Sequence, residues 1–139
     1  MNDRRLRLVM AALALATTAI AAYLVRVHYS GGAVVCASGG CETVQHSRYS
    51  AIFGVPVALI GLLGSAAILA SLLRTGTVER AAGLFLTVFG LVFAVYLVVL
   101  QVAVIGAVCE WCVVNDALLA VLALLAAWRV AASGALRAP

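Results

Sequence analysis

Apolar residues run through this chain in long unbroken stretches, and the polar positions collect between the stretches instead of alternating within them. Four stretches stand out: Leu8–Val25, Ala51–Leu73, Ala81–Val108 and Val113–Ala131. Crossing about 30 Å of hydrocarbon takes about 20 helical residues at about 1.5 Å each, so each stretch predicts a transmembrane helix. The first is the shortest, with Tyr23 and Arg26 placed to meet the interface through an aromatic ring and a snorkelling guanidinium. The third is long enough to tilt or to project beyond the bilayer. Only the segment Arg74–Arg80 separates the second and third, which makes them antiparallel neighbours. The expected architecture is an all-α membrane protein, a bundle of four transmembrane helices forming a single domain over residues 1–139. Gly61, Gly64 and Ser65 on the second helix, with Gly83 and Gly90 on the third, read as small-residue positions where helix backbones approach.

Composition agrees with the pattern. Apolar residues make up 66%, charged residues 10%, and the mean hydropathy is +1.20, against roughly 45–50% and about 25% for soluble domains. A water-soluble enzyme, a disordered tail and a nucleic-acid binder are excluded. All nine basic residues are arginine, giving net charge +4, but they form no single basic face. Arg4, Arg5 and Arg7 precede the first span, Arg74 and Arg80 flank the turn between the second and third, and Arg129 and Arg137 close the chain. Arginine-rich segments stay in the cytoplasm. Both termini are therefore expected in the cytoplasm of a multi-pass cell-membrane protein, with the loops Arg26–Ser50 and Cys109–Cys112 outside. Trp111 and Trp128 fall at the outer and inner interfaces. A second reading of the first stretch is a cleavable signal peptide, Leu8–Ala16 followed by the small-residue site Ala19-Ile20-Ala21, which would leave three spans.

The topology places all four cysteines on the outer side, where disulfides persist. Cys109-Glu110-Trp111-Cys112 is a C-x-x-C pair opening the fourth helix. Cys112 lies in the first helical turn, where free N–H groups and the positive helix end favour a thiolate, while Glu110 adds opposing charge. Cys36 and Cys41 bracket the pliant run Ala37-Ser38-Gly39-Gly40. A mobile dithiol beside a C-x-x-C suits thiol–disulfide exchange through mixed disulfides. Inert loop disulfides and a four-thiolate zinc site remain open on spacing alone. The sequence holds no haem, flavin or iron–sulfur pattern, so the economical electron acceptor is a lipid-soluble quinone held in the bundle.

The run Cys36…Cys41…Ser47-Arg48-Tyr49…Gly54-Val55-Pro56, with Cys109-Glu110-Trp111-Cys112 far downstream, resembles the vitamin K epoxide reductase family over essentially the whole chain. Its most specific elements are the Ser six positions after the second loop cysteine, followed by a basic and an aromatic residue, and the C-x-x-C at the start of the last helix. The resemblance implies that Cys112 faces the quinone and Cys109 exchanges with the loop. Cys41 would form the transient disulfide to Cys109, and Cys36 would meet a separate thioredoxin-like partner outside. It also places Ser47 near a quinone carbonyl and makes Glu42–Ser50 a short helix lying over the pocket; as a residue, Ser47 equally suits a helix cap. Where the vertebrate enzymes carry an Asn on the second helix and a Tyr one turn after the C-x-x-C, the second span of this chain has no Asn, and Asp116 stands one turn after Cys112. That points to reduction of a menaquinone- or ubiquinone-type molecule rather than an epoxide.

Asn115 and Asp116 follow Cys112 by three and four positions, on its helical face. Asp116 is a candidate proton relay, or an acid matched to the helix N-terminus. Phe53, Leu59, Phe93 and Leu97 are candidate apolar walls of the quinone pocket, although their spacing reads first as helix packing. His46 reads as a solvated neighbour of Ser47, and Tyr96 and Gln101 as interhelical hydrogen-bonding groups. The predicted function is a membrane thiol–disulfide oxidoreductase that uses Cys36, Cys41, Cys109 and Cys112 to oxidise its partner and reduce a quinone. The alternatives are a non-catalytic thiolate metal-binding protein and a structural subunit braced by disulfides.

Overall fold

The computed structural model describes residues 1–134, so Arg137 lies outside the described residues. Helix α1 spans Asp3–Ser30; the Asn2 side chain caps it by accepting the Arg5 N–H at 3.0 Å, and Gly31 ends it at φ +66°. A short helix α2, Cys41–Gln45, and one 3₁₀ turn, Arg48–Ser50, follow. The expected surface helix over Glu42–Ser50 is thus two short pieces that break at His46–Ser47.

The second apolar stretch starts its helix later than expected. Strands β1, Ala51–Ile52, and β2, Val55–Pro56, form a small antiparallel hairpin that pairs Ala51 with Pro56 and Ile52 with Val55. Phe53 and Gly54 take positive φ at its two-residue turn, the geometry that matches strand twist. Pro56 favours extended backbone at Val55 and its own fixed φ suits the entry to a helix, so α3 runs only over Val57–Leu73. Helix α4 covers Thr77–Val99 and continues as a π-helical segment, Leu100–Ile105. Gly106, at φ +72°, stops it short of the expected Val108. Helix α5 covers Glu110–Ala132, so the C-x-x-C lies across its N-terminus. Among the described residues, three helices are long and apolar enough to cross a membrane: α1, α4 with its extension, and α5; α3 is a shorter apolar helix.

Helices α1 and α4 each pack against α3 and α5, which leaves α1 and α4 on a diagonal. Leu6, Met10 and Ala14 of α1, Ile68 and Leu72 of α3, and Leu122 and Ala126 of α5 form one buried core. At this end Arg7 donates two hydrogen bonds to the Leu72 carbonyl, 2.7 and 3.2 Å, and satisfies the last turn of α3. Arg129 is 5% exposed and pairs with Asp3 at 2.8 Å, while Arg80 approaches the same carboxylate at 3.7 Å. One acidic side chain thereby ties α1, α4 and α5 together.

The glycines divide into two groups. A Cβ on Gly83 would stand 3.0 Å from the Ser71 hydroxyl and one on Gly90 3.1 Å from Leu119, so both permit close helix packing as expected. Gly61 and Gly64 do not: a Cβ on either meets nothing within 4 Å. They border a cavity instead, and this space positions the site.

Candidate functional site

The four cysteines meet at the end of the bundle opposite the Asp3 cluster. Cys36 and Cys41 form a disulfide with Cα atoms 6.0 Å apart, and Cys109 and Cys112 are free thiols. Cys41 and Cys109 are fully buried and belong to one cluster with Leu24 and Val34, against which Cys36, Cys112 and Trp111 pack. A site of four thiolates would need the loop sulfurs unbonded, and the disulfide joins them to each other.

The loop is fastened to the C-x-x-C segment by four contacts. The Ala37 N–H donates to Glu110 Oε1 at 2.7 Å, and Ser38 Oγ donates to the Val108 carbonyl at 3.3 Å. The Trp111 indole N–H donates to the Val35 carbonyl, and its ring packs on Tyr23, 5.4 Å between centroids. A Cβ on Gly40 would collide with the Val108 carbonyl oxygen, so only glycine lets the loop backbone lie this close. Both residues between the paired cysteines therefore grip the redox loop. Sequence reasoning missed these roles, because Glu110 and Trp111 contact residues more than 70 positions away.

Cys109, not Cys112, receives the helix-end N–H. As the N-cap of α5 its sulfur accepts the Cys112 N–H at 3.3 Å, whereas Cys112 already lies inside the helix. The Cys112 thiol also donates to Cys109, burial opposes ionisation, and the Gln45 amide adds a further donor; the balance holds Cys109 at about 7, down from 9.0. Gln45 Nε2 reaches Cys112 at 3.6 Å and Cys109 at 4.0 Å. The Cys109 N–H donates at 2.7 Å to Oε1 of Gln101, which is 3% exposed. Gln101 was expected to bond between helices; it orients its own downstream segment. Gln45, four positions after Cys41, was detectable in principle as a polar residue on the helical face of a redox cysteine.

Beneath the sulfurs lies a cavity of about 380 Å³, within the range of roughly 300–1,000 Å³ for small-molecule sites. Its walls include Leu24 of α1, Gly61 and Gly64 of α3, Phe89, Phe93 and Leu97 of α4, and Leu119 of α5; Gln45, Ser47, Tyr49, Cys112, Asn115 and Asp116 supply its polar groups. Asn115 Oδ1 and Asp116 Oδ2 are buried without hydrogen-bond partners. Buried polar atoms are ordinarily paired; both are oxygens that accept, so a hydroxyl-bearing ring fits them, and a ring carbonyl fits Asp116 when its carboxyl carries a proton. Ser47 borders the cavity, but its hydroxyl donates to the Val44 carbonyl at 2.8 Å, a helix-end bond.

Phe53 does not line the cavity. It occupies the hairpin turn at φ +50° with its side chain fully exposed, because the turn that Pro56 forces before α3 carries it away from the bundle. Leu59 is likewise outside the wall, and Tyr96 is 53% exposed beside Phe93. Buried sulfurs set over an apolar cavity with unpaired polar groups make an arrangement suited to two-electron exchange between thiols and a ring compound. The sequence profile described as the Vitamin K epoxide reductase family matches residues 8–127. The chain belongs to that family of membrane oxidoreductases, whose electron partner is a quinone.

Proposed function

We propose that the chain is one domain over residues 1–139 that crosses the membrane four times, oxidises an extracytoplasmic thioredoxin-like protein and reduces a membrane quinone. Helix α3 is about 26 Å long at about 1.5 Å per residue, and the hairpin before it extends the segment toward the interface. The arginine clusters favour termini in the cytoplasm and sulfurs outside. A dithiol partner attacks the half-exposed Cys36, the loop passes the electron pair through Cys41 to Cys109, and Cys112 delivers it toward the cavity. The quinone, of menaquinone or ubiquinone type, supplies the two-electron acceptor. Asn115 orients it and Asp116 holds the proton needed at its oxygen, with Ser47 an acceptor for the reduced form's hydroxyl.

The observation that carries this reading is the pair of unpartnered polar atoms on Asn115 and Asp116 in a cavity that Cys112 also lines. The experiment is quinone reduction by purified protein supplied with a dithiol. Turnover is expected in the wild type and absent in Cys112→Ser. Equal turnover in both would overturn the route through Cys112, and cysteine variants that change stability alone would support a disulfide-braced structural subunit.

A further inference from the structure

Cys41 is fully buried, yet in the relay it must give up a proton before it attacks as a thiolate. Water does not reach it, so the proton needs an acceptor within the protein. One oxygen of the Glu110 carboxylate lies within 4.8 Å of both Cys36 Sγ and Cys41 Sγ. Glu110 is held there by the Ala37 N–H on Oε1 at 2.7 Å, and its half-buried side chain borders both the sulfurs and solvent. Among the described residues no arginine or histidine pairs with it. The titratable groups beside it are Cys36 and Cys41 on the loop and Cys109, which precedes it in the chain; the Tyr23 hydroxyl of α1 is engaged by the Val35 N–H at 3.2 Å. Glu42 and His46 on the α2 side are exposed.

We infer that Glu110 is the proton acceptor for the loop dithiol, a positioning and proton-transfer role for the first residue between the C-x-x-C cysteines. This rests on the relay proposed above. When the loop is reduced and the C-x-x-C oxidised, the Glu110 carboxylate takes the Cys41 proton. The Cys41 thiolate attacks Cys109 Sγ, the Cys41–Cys109 bond forms, and the Cys109–Cys112 bond breaks with its electron pair on Cys112. Glu110 releases its proton to solvent and accepts that of Cys36. The Cys36 thiolate then attacks Cys41 Sγ, restoring the loop disulfide and leaving the second electron pair on Cys109. The loop is oxidised by two electrons and the C-x-x-C pair reduced by two, with two protons passing through Glu110.

Glu110→Gln separates this role from simple fastening, because the amide oxygen still accepts the Ala37 N–H but takes no proton. The test starts from protein with both disulfides formed and no quinone. One equivalent of dithiothreitol is added, and acid-quenched, alkylated samples are mapped by mass spectrometry for the pair that holds the electrons. An unchanged thermal midpoint and an intact Cys36–Cys41 bond in oxidised Glu110→Gln serve as the control for an intact fold. Transfer from loop to C-x-x-C is expected about a hundredfold slower at pH 7, as for loss of a general base. The pH profile of the remaining transfer is expected to differ from the wild type's, because the Cys41 proton no longer leaves through the carboxylate. Wild-type transfer rates in Glu110→Gln at every pH would overturn the proposal. So would an equal slowing in Glu110→Gln and Glu110→Ala with the wild-type pH profile, which would leave Glu110 a fastening group. No transfer in the wild type would instead overturn the relay itself.

Discussion

Replacing Cys112 by alanine removes the largest contribution to the acidity of Cys109, the thiol hydrogen bond. The Cys112 N–H and Gln45 remain, while burial still disfavours charge, so Cys109 moves up from about 7 toward its ordinary 9.0. A full return would represent on the order of 3 kcal/mol. The sign follows from the thiolate being the form that the hydrogen bonds stabilise: it dominates above the midpoint and is lost as pH falls through it. At pH 7.5 the thiolate fraction would fall from about three quarters to about 3%. Intrinsic nucleophilicity rises with pKa at a Brønsted slope of about 0.4–0.5, so attack by Cys109 slows only about threefold, but its departure as a leaving group slows more. Thiolate absorbance near 240 nm, titrated in a Cys36→Ala/Cys41→Ala background with and without Cys112→Ala, reads the midpoint directly. A first midpoint that stays near 7 without Cys112 would refute the assignment, as would one near 9 with it present.

Three further outcomes follow from the same geometry. Gly64→Leu places a side chain in open cavity, since a Cβ there meets nothing within 4 Å; quinone reduction is expected to fall at least tenfold with thermal stability and loop reduction by dithiothreitol unchanged, and full quinone turnover would show that the ring binds elsewhere. Asp116→Asn keeps the shape but not the proton, and is expected to lower quinone turnover by about a hundredfold and change its pH profile; an unaltered profile would remove Asp116 from proton transfer. Asp3→Asn leaves the buried Arg129 guanidinium without its counter-charge, an expected loss of about 1–3 kcal/mol seen as a lower thermal midpoint, which Arg129→Met should partly restore by removing the unpaired charge.

The existence and order of the long helices were legible because their apolar runs are uninterrupted, and the packing of Gly83 and Gly90 was legible from small residues at helix contacts. Boundaries were not. Pro56 and Gly106 act through backbone geometry inside runs whose hydropathy does not change, so the hairpin and the end of the π-helical segment left no signature in the apolar pattern. Gly61 and Gly64 were misread because a glycine that makes room for a cavity looks like one that makes room for a helix. At the site, pairing of the cysteines by loop was readable from spacing. The contacts of Glu110, Trp111 and Gln45 were not, since each depends on where a flexible loop settles after folding. Phe53 shows the reverse error: an aromatic next to the first helical residues was assigned to the interior, and two positive φ angles put it outside.

On the proposed route, electrons move between the loop and a quinone only by way of the C-x-x-C. The most direct test of that route adds one equivalent of quinone to fully reduced protein and maps the resulting disulfide by mass spectrometry. The expected product is a Cys36–Cys41 bond with Cys109 and Cys112 free, the state seen in the structure, and a bond retained at Cys109–Cys112 in Cys41→Ser. Formation of the Cys36–Cys41 bond at the wild-type rate in Cys112→Ser would contradict the route.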